Sequence, residues 1–221
     1  MKASAILTAL ALFSLAATGA FAGDTVVSGL KVMDKDLVVG KGDTVRLMPG
    51  ARLLFKEGTG IRVEGTLEAA GKAGRQAALA PAKEGVQWLG ITVVSGGSAR
   101  LVNCSISGAV EAVRASGGSL ALKGVIISGC EKGVTVEMMS EAEVVGLKTS
   151  AVKKAAFSVR QDSKAALKDC SFSGPGGSGL SVTGKCCVTI SGSGFDGLDC
   201  GIRATYPGAS PEVRDSPSPG R

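Results

Sequence analysis

None of the 221 residues of this chain is a histidine. Ser-His-Asp and Cys-His nucleophile systems are therefore excluded. So is haem attachment through Cys-x-x-Cys-His, and zinc loses its commonest nitrogen ligand. What remains is chemistry by carboxylates, lysines and arginines. Asp196 and Asp199, in Phe195-Asp-Gly-Leu-Asp-Cys-Gly-Ile-Arg-Ala204, are the one adjacent carboxylate pair that can be offered for such work. Inverting glycoside hydrolysis needs two carboxyl groups about 6.5–9.5 Å apart, and the plainer reading of both aspartates is as turn residues. Calcium needs about six to eight convergent oxygens. Asp24 and Asp34-Lys-Asp36 form no such loop and read instead as solvated charge on the first strands. No metal and no cofactor is expected.

Arginines offer a second kind of chemistry, recognition of anions. A phrase of small, apolar, polar and apolar residues recurs as Gly60-Ile-Arg-Val63, Gly90-Ile-Thr-Val93, Ala112-Val-Arg-Ala115, Gly133-Val-Thr-Val136, Ala156-Phe-Ser-Val159, Gly179-Leu-Ser-Val182 and Gly201-Ile-Arg-Ala204. Its polar position reads Arg62, Thr92, Arg114, Thr135, Ser158, Ser181 and Arg203, with Arg160 beside it. Stacked on one face, these residues would make a stripe of hydroxyls and guanidinium groups, and the arginine fork suits carboxylates of an acidic polysaccharide. The plainer reading is a strand face of small β-compatible polar residues. One Trp and one Tyr leave little aromatic surface for stacking sugars or bases, and no nucleic-acid partner is expected.

The elements that must position this stripe announce themselves in a second phrase, an apolar residue, any residue, then Asn, Gly or Asp. It occurs at Leu101-Val-Asn103, Leu122-Lys-Gly124, Val144-Val-Gly146, Leu167-Lys-Asp169, Ile190-Ser-Gly192 and Val213-Arg-Asp215, at spacings of 21 to 23 residues. Those three residue types best tolerate φ > 0, so each lap turns the same left-handed corner. Alternation beyond the corner (Cys104, Val125, Leu147 and Cys170, then Ile106, Ile127, Phe172 and Phe195) fits half-buried strands. Two or three short strands per lap, held in register over six laps, predict an all-β, single-stranded parallel β-solenoid. Helical repeats are excluded by 33 glycines, each costing about 1 kcal/mol in a helix.

Several segments resemble right-handed parallel β-helix proteins of the pectate-lyase-like superfamily. They are Gly96-Gly-Ser-Ala-Arg-Leu-Val-Asn-Cys-Ser-Ile-Ser107, Ser163-Lys-Ala-Ala-Leu-Lys-Asp-Cys-Ser-Phe-Ser-Gly174, the stretch from Gly42 to Leu67, and Trp88-Leu-Gly-Ile91. The resemblance covers about residues 26–215 and implies a right-handed helix. Its superfamily includes lyases, hydrolases, epimerases and non-catalytic surface proteins, so it implies no single activity. The lap around Asp196 and Asp199 is similar to one lap of polygalacturonases, which implies Asp199 as an acid and Asp196 as its neighbour. The histidine those enzymes carry nearby is missing here.

The N-terminus reads as a signal peptide over residues 1–22, with Lys2 before an apolar run from Ala5 to Ala17 and Ala20-Phe-Ala22 at the cut. The run is shorter than the roughly 20 residues of a membrane span, so export without a span is expected, to the periplasm, cell surface or exterior of a bacterial-type cell. Residues 23–59 read as an N-terminal cap and first lap, 60–207 as the β-helix, and 208–221 as an incomplete last lap and tail. The uncapped C-terminal end is expected to self-associate. Six cysteines in an exported chain invite disulfides, but Cys104 and Cys170 share a column three laps apart. That is roughly 14 Å at the strand spacing, against about 7 Å for a bridged pair. A net charge of +6 is modest. The expected function is a non-catalytic β-helix protein of the envelope or surface with acidic polysaccharide or another envelope component as its partner. The alternatives are a lyase or glycoside hydrolase of acidic glycans and a passive structural or adhesive module.

Overall fold

A computed structural model describes residues 20–21, 23–205 and 211–214. Each lap gives one strand to each of three parallel sheets of nine, nine and eight strands. Sheet I runs from Ala20–Phe21 to Cys200–Thr205, sheet II from Asp24–Val27 to Glu212–Arg214, and sheet III from Leu30–Met33 to Gly194–Asp196. Neighbours within a sheet are one lap apart, so the fold is the parallel solenoid that the repeat predicts. No helix among the described residues is long and apolar enough to cross a membrane.

The corner between sheets II and III is built as its residue types require. Asn103, Gly124, Gly146, Asp169 and Gly192 have φ of 48°, 61°, 66°, 54° and 57°, and Asp215 lies outside the described residues. Beyond the corner, Cys104, Val125, Leu147 and Cys170 are buried, as are Ile106, Ile127, Thr149 and Phe172 one position pair further. The outward residues between them pair Ser105 with Ile126, Ile126 with Lys148, and Lys148 with Ser171. Apolar columns therefore run along the axis and fill the interior. Phe172 and Phe195, in register in one column, stack with ring centroids 5.2 Å apart, and Phe55 of sheet III stacks on Trp88 of sheet I at 4.3 Å. The Trp88 indole N–H is satisfied by the Ser107 carbonyl at 2.8 Å.

The corner between sheets I and II is less regular. Counted from the polar row to the aligned start of sheet II, the step is six residues from Thr92 to Ser98, Thr135 to Glu141, Ser158 to Lys164 and Ser181 to Cys187 but five from Arg114 to Ser119, so the Arg114 lap is one residue shorter there. In the Glu137 lap the turn is made by Met138 and Met139 with φ of 57° and 58°, both exposed, and Gln161 and Asp162 repeat it one lap on, each with φ of 56°. Ser140, buried beneath the methionines, accepts hydrogen bonds at its Oγ from the Gly117 and Gly118 amides at 2.8 and 3.2 Å and donates to the Glu137 carbonyl at 2.6 Å. This one hydroxyl ties the turn of its own lap to the Gly117–Gly118 turn of the lap before.

Of the segment read as a signal peptide, Ala20–Phe21 is described, as a strand paired with Leu37–Val39; the rest lies outside the described residues. Segment 23–59 already contributes strands to all three sheets. From the segment 208–221, Glu212–Arg214 pairs with Cys187–Ser191, and 208–210 and 215–221 lie outside the described residues.

Candidate binding face

The outer face of sheet I carries the predicted stripe. Arg62 lies beside Thr92, Thr92 beside Arg114, and Arg114 beside Thr135. Ser158, Ser181 and Arg203 continue the row. A second outward row, two residues further along each strand, includes Ser116, Glu137, Arg160, Thr183 and Thr205.

Glu137 organises the middle of this face. Its side chain is only 4% exposed, while Arg114 and Arg160 on either side are 42% and 43% exposed. Arg114 Nε donates to Oε1 at 2.6 Å and Arg160 Nε to Oε2 at 2.7 Å, so each arginine holds one carboxylate oxygen. Arg160 Nη2 adds a second contact at 2.6 Å, and Arg114 Nη2 also meets Oε1. Burial pushes the Glu137 carboxyl up. The Arg114 hydrogen bond, with the charges of Arg160 and Arg114, outweighs it and holds the group below its ordinary value. Charge-assisted pairs of this kind fix geometry as well as charge. Thr135, buried although it stands in the outward row, donates to Glu111 Oε1 at 2.5 Å.

The stripe is therefore not a row of free cations. Arg62 donates to Glu64 at 2.8 Å, and Arg114 and Arg160 clasp Glu137. Among the described residues no acid pairs with Arg203. Towards the C-terminal end the face becomes a patch of hydroxyls from Ser158, Ser181, Thr183 and Thr205, bordered by Arg160 and Arg203. The Thr183 and Thr205 hydroxyls lie 3.2 Å apart. Glu137 had a signal in the sequence that the stripe reading passed over: it stands 23 residues from each arginine, one lap either way.

Asp196 and Asp199 flank the turn from sheet III to sheet I. Asp196 ends the strand Gly194–Asp196, exposed, and its carbonyl accepts the Gly174 amide at 3.2 Å. Asp199 Oδ2 accepts the Gly177 amide at 2.9 Å, tying one lap's turn to the next. Lys154 is held by Glu131 at 2.6 Å, and that hydrogen bond is the main reason the Glu131 carboxyl titrates low.

All six cysteines are free. Burial pushes the Cys104 thiol up to about 11 and raises those of Cys130 and Cys170, which makes them poor nucleophiles. Among the described residues no group of three His, Cys, Asp or Glu side chains could hold a metal ion. A groove of about 770 Å³ runs along the outer face of sheet II over small side chains such as Ser98, Ser119, Ala121 and Ala166, with Glu141, Glu143 and Lys164 at its sides. None of the predicted site residues lines it.

A family model described as a right-handed beta helix region matches residues 83–216. No curated protein and no solved structure matches the chain.

Proposed function

The chain belongs to the right-handed β-helix family, and from its outer face we propose an exported, non-catalytic envelope or surface protein that binds polysaccharide along sheet I. The observation that carries this reading is the in-register row from Arg62 to Arg203. A linear chain lying along the axis meets one residue of this row per lap, at about 4.8 Å intervals, with Ser158, Ser181 and Arg203 accessible to it towards the C-terminal end. The Arg114–Glu137–Arg160 clasp holds the middle of the row rigid, while Arg203 and the hydroxyls around it supply adaptable contacts. Export rests on the leader pattern at residues 1–22. The non-catalytic reading is supported by the two candidate aspartates: Asp199 Oδ2 serves a backbone amide, and Asp196 is exposed at a strand end.

The test is binding of the mature chain to an array of acidic and neutral polysaccharides, comparing wild type with an Arg203→Ser, Ser181→Ala double variant. Selective binding that the variant loses supports the reading. Unaltered binding, or none on any glycan, removes it. Release of unsaturated or reducing sugar would move the protein to the lyases or hydrolases.

A further inference from the structure

The leader pattern puts the cut between Ala22 and Gly23, and the structure puts the Gly23 nitrogen 2.6 Å from Asp43 Oδ1, one lap on. Two separate observations meet at one atom. The residues that hold this contact all lie beyond the cut. The Gly23 carbonyl accepts the Thr44 amide at 3.3 Å, and Asp24–Val27 pairs in register with Thr44–Leu47. Gly23 therefore keeps its place without any residue before it. Asp43 is half-buried, and its amide closes a turn on the Gly40 carbonyl at 3.0 Å. A Cβ at Gly40 would sit 2.6 Å from Asp43 Oδ2, so the glycine leaves room for the carboxylate. Of the charged neighbours, Asp24 is engaged by Arg46 at 3.3 Å, and Lys41, in the same turn as Asp43, is exposed.

We propose that removal of the leader turns the Gly23 amide into the α-ammonium group of the mature chain and seats it on Asp43, an ion pair that only the processed protein can form. The proposal rests on the export reading above. Hydrolysis of the Ala22–Gly23 bond takes up one water: its hydroxyl goes to the Ala22 carbonyl and its hydrogen to the Gly23 nitrogen, which binds a further proton near neutral pH. An ammonium donor makes a shorter and stronger bond to a carboxylate than an amide does. The left-handed torsion at Gly23, φ 78°, vanishes with the Ala22 carbonyl that defines it. The strand Ala20–Phe21, paired with Leu37–Val39, leaves with the leader, and the Asp43 pair then holds the point at which the chain begins. Gly60 on Asp36 and Gly177 on Asp199, at 2.8 and 2.9 Å, use the same contact with nitrogens that stay amides.

The test starts from the full chain exported by a bacterial host, its product read by intact mass and N-terminal sequencing. A start at Gly23 is expected. A start at any other residue overturns the proposal, and an uncut leader overturns the export reading with it. The seat has its own test, competitive labelling of the α-amino group with acetic anhydride near neutral pH. A neighbouring carboxylate favours the unreactive ammonium form, so the processed chain should label about fivefold more slowly than its Asp43→Asn variant. Equal rates overturn the ion pair and leave export standing. A chain released from a fusion so that it begins at Ala22 keeps Asp43 but moves the ammonium one residue away, and it decides should Asp43→Asn fail to fold. Its amino group should label as fast as that of an unstructured peptide, and labelling as slow as in the chain that begins at Gly23 overturns the proposal.

Discussion

The middle laps and the last lap are written in the same phrase yet differ in how firmly they are held. At Ala156-Phe-Ser-Val159 the inward Phe157 and Val159 are buried between two neighbouring laps, and the outward Arg160 is fastened to Glu137. At Gly201-Ile-Arg-Ala204 the inward Ile202 and Ala204 have, among the described residues, a lap on one side only, and Arg203 is exposed. A phrase that specifies a strand does not by itself specify its stability. In a solenoid, each repeat takes much of its free energy from the interface with the next.

The largest test of this contrast removes a core side chain from each region. Phe157→Ala should cost about 3–5 kcal/mol of unfolding free energy. Ile202→Ala in the half-covered rung should cost about 1 kcal/mol or less. Both are measured by urea denaturation at a concentration where the chain is monomeric, and equal costs would break the comparison.

The clasp comes next. Glu137→Ala leaves two arginines without their shared acceptor and should cost about 1–3 kcal/mol, with Arg203→Ala within about 0.5 kcal/mol of wild type. The Glu137 effect should depend on pH. Its carboxyl titrates below its ordinary value near 4.5 in the folded chain. Folding therefore gains from its ionisation above that value, and the gain is lost as pH falls from about 4.5 through the folded pKa. The difference in melting temperature between wild type and Glu137→Gln should be flat near neutral pH and shrink below pH 4.5. A difference that grows on acidification would reverse the assigned cause.

A smaller effect is expected at the corners. A Cβ added at Gly146, where φ is 66°, would meet no atom closer than 3.8 Å, so Gly146→Ala adds only backbone strain, about 1–2 kcal/mol. At Gly192 a Cβ would sit 2.4 Å from Asp169 Oδ1, a side-chain end that can turn aside, so the same change should cost about as much. Least of all, Arg62→Ser breaks an exposed pair with Glu64 and should move stability by less than about 0.5 kcal/mol. A larger loss would mean that the exposed face is as tightly coupled as the clasp.

Those corners are also where the sequence is most legible. Asn103 and Asp169 stand among glycines because every lap needs a left-handed residue at one place, and that need is local. The columns follow once the corner is aligned, and with them the separation of Cys104 from Cys170 and the row from Arg62 to Arg203. The clasp is harder to see because Glu137 belongs to the next outward row and meets arginines of the laps on either side, beside the left-handed turn at Met138 and Met139. Asp199 is illegible for a related reason. Its acceptor role depends on the Gly177 amide, presented by a glycine-rich turn one lap away.

The free thiols sit at graded heights along the axis, from Cys104 and Cys130 through Cys170 to the pair Cys186 and Cys187 and then Cys200 near the last rung. A buried thiol reacts with an alkylating reagent only when its lap opens. The order in which these positions become labelled would therefore trace how far fraying travels inward from one end. Without any added probe, the molecule carries its own depth gauge for lap-by-lap opening.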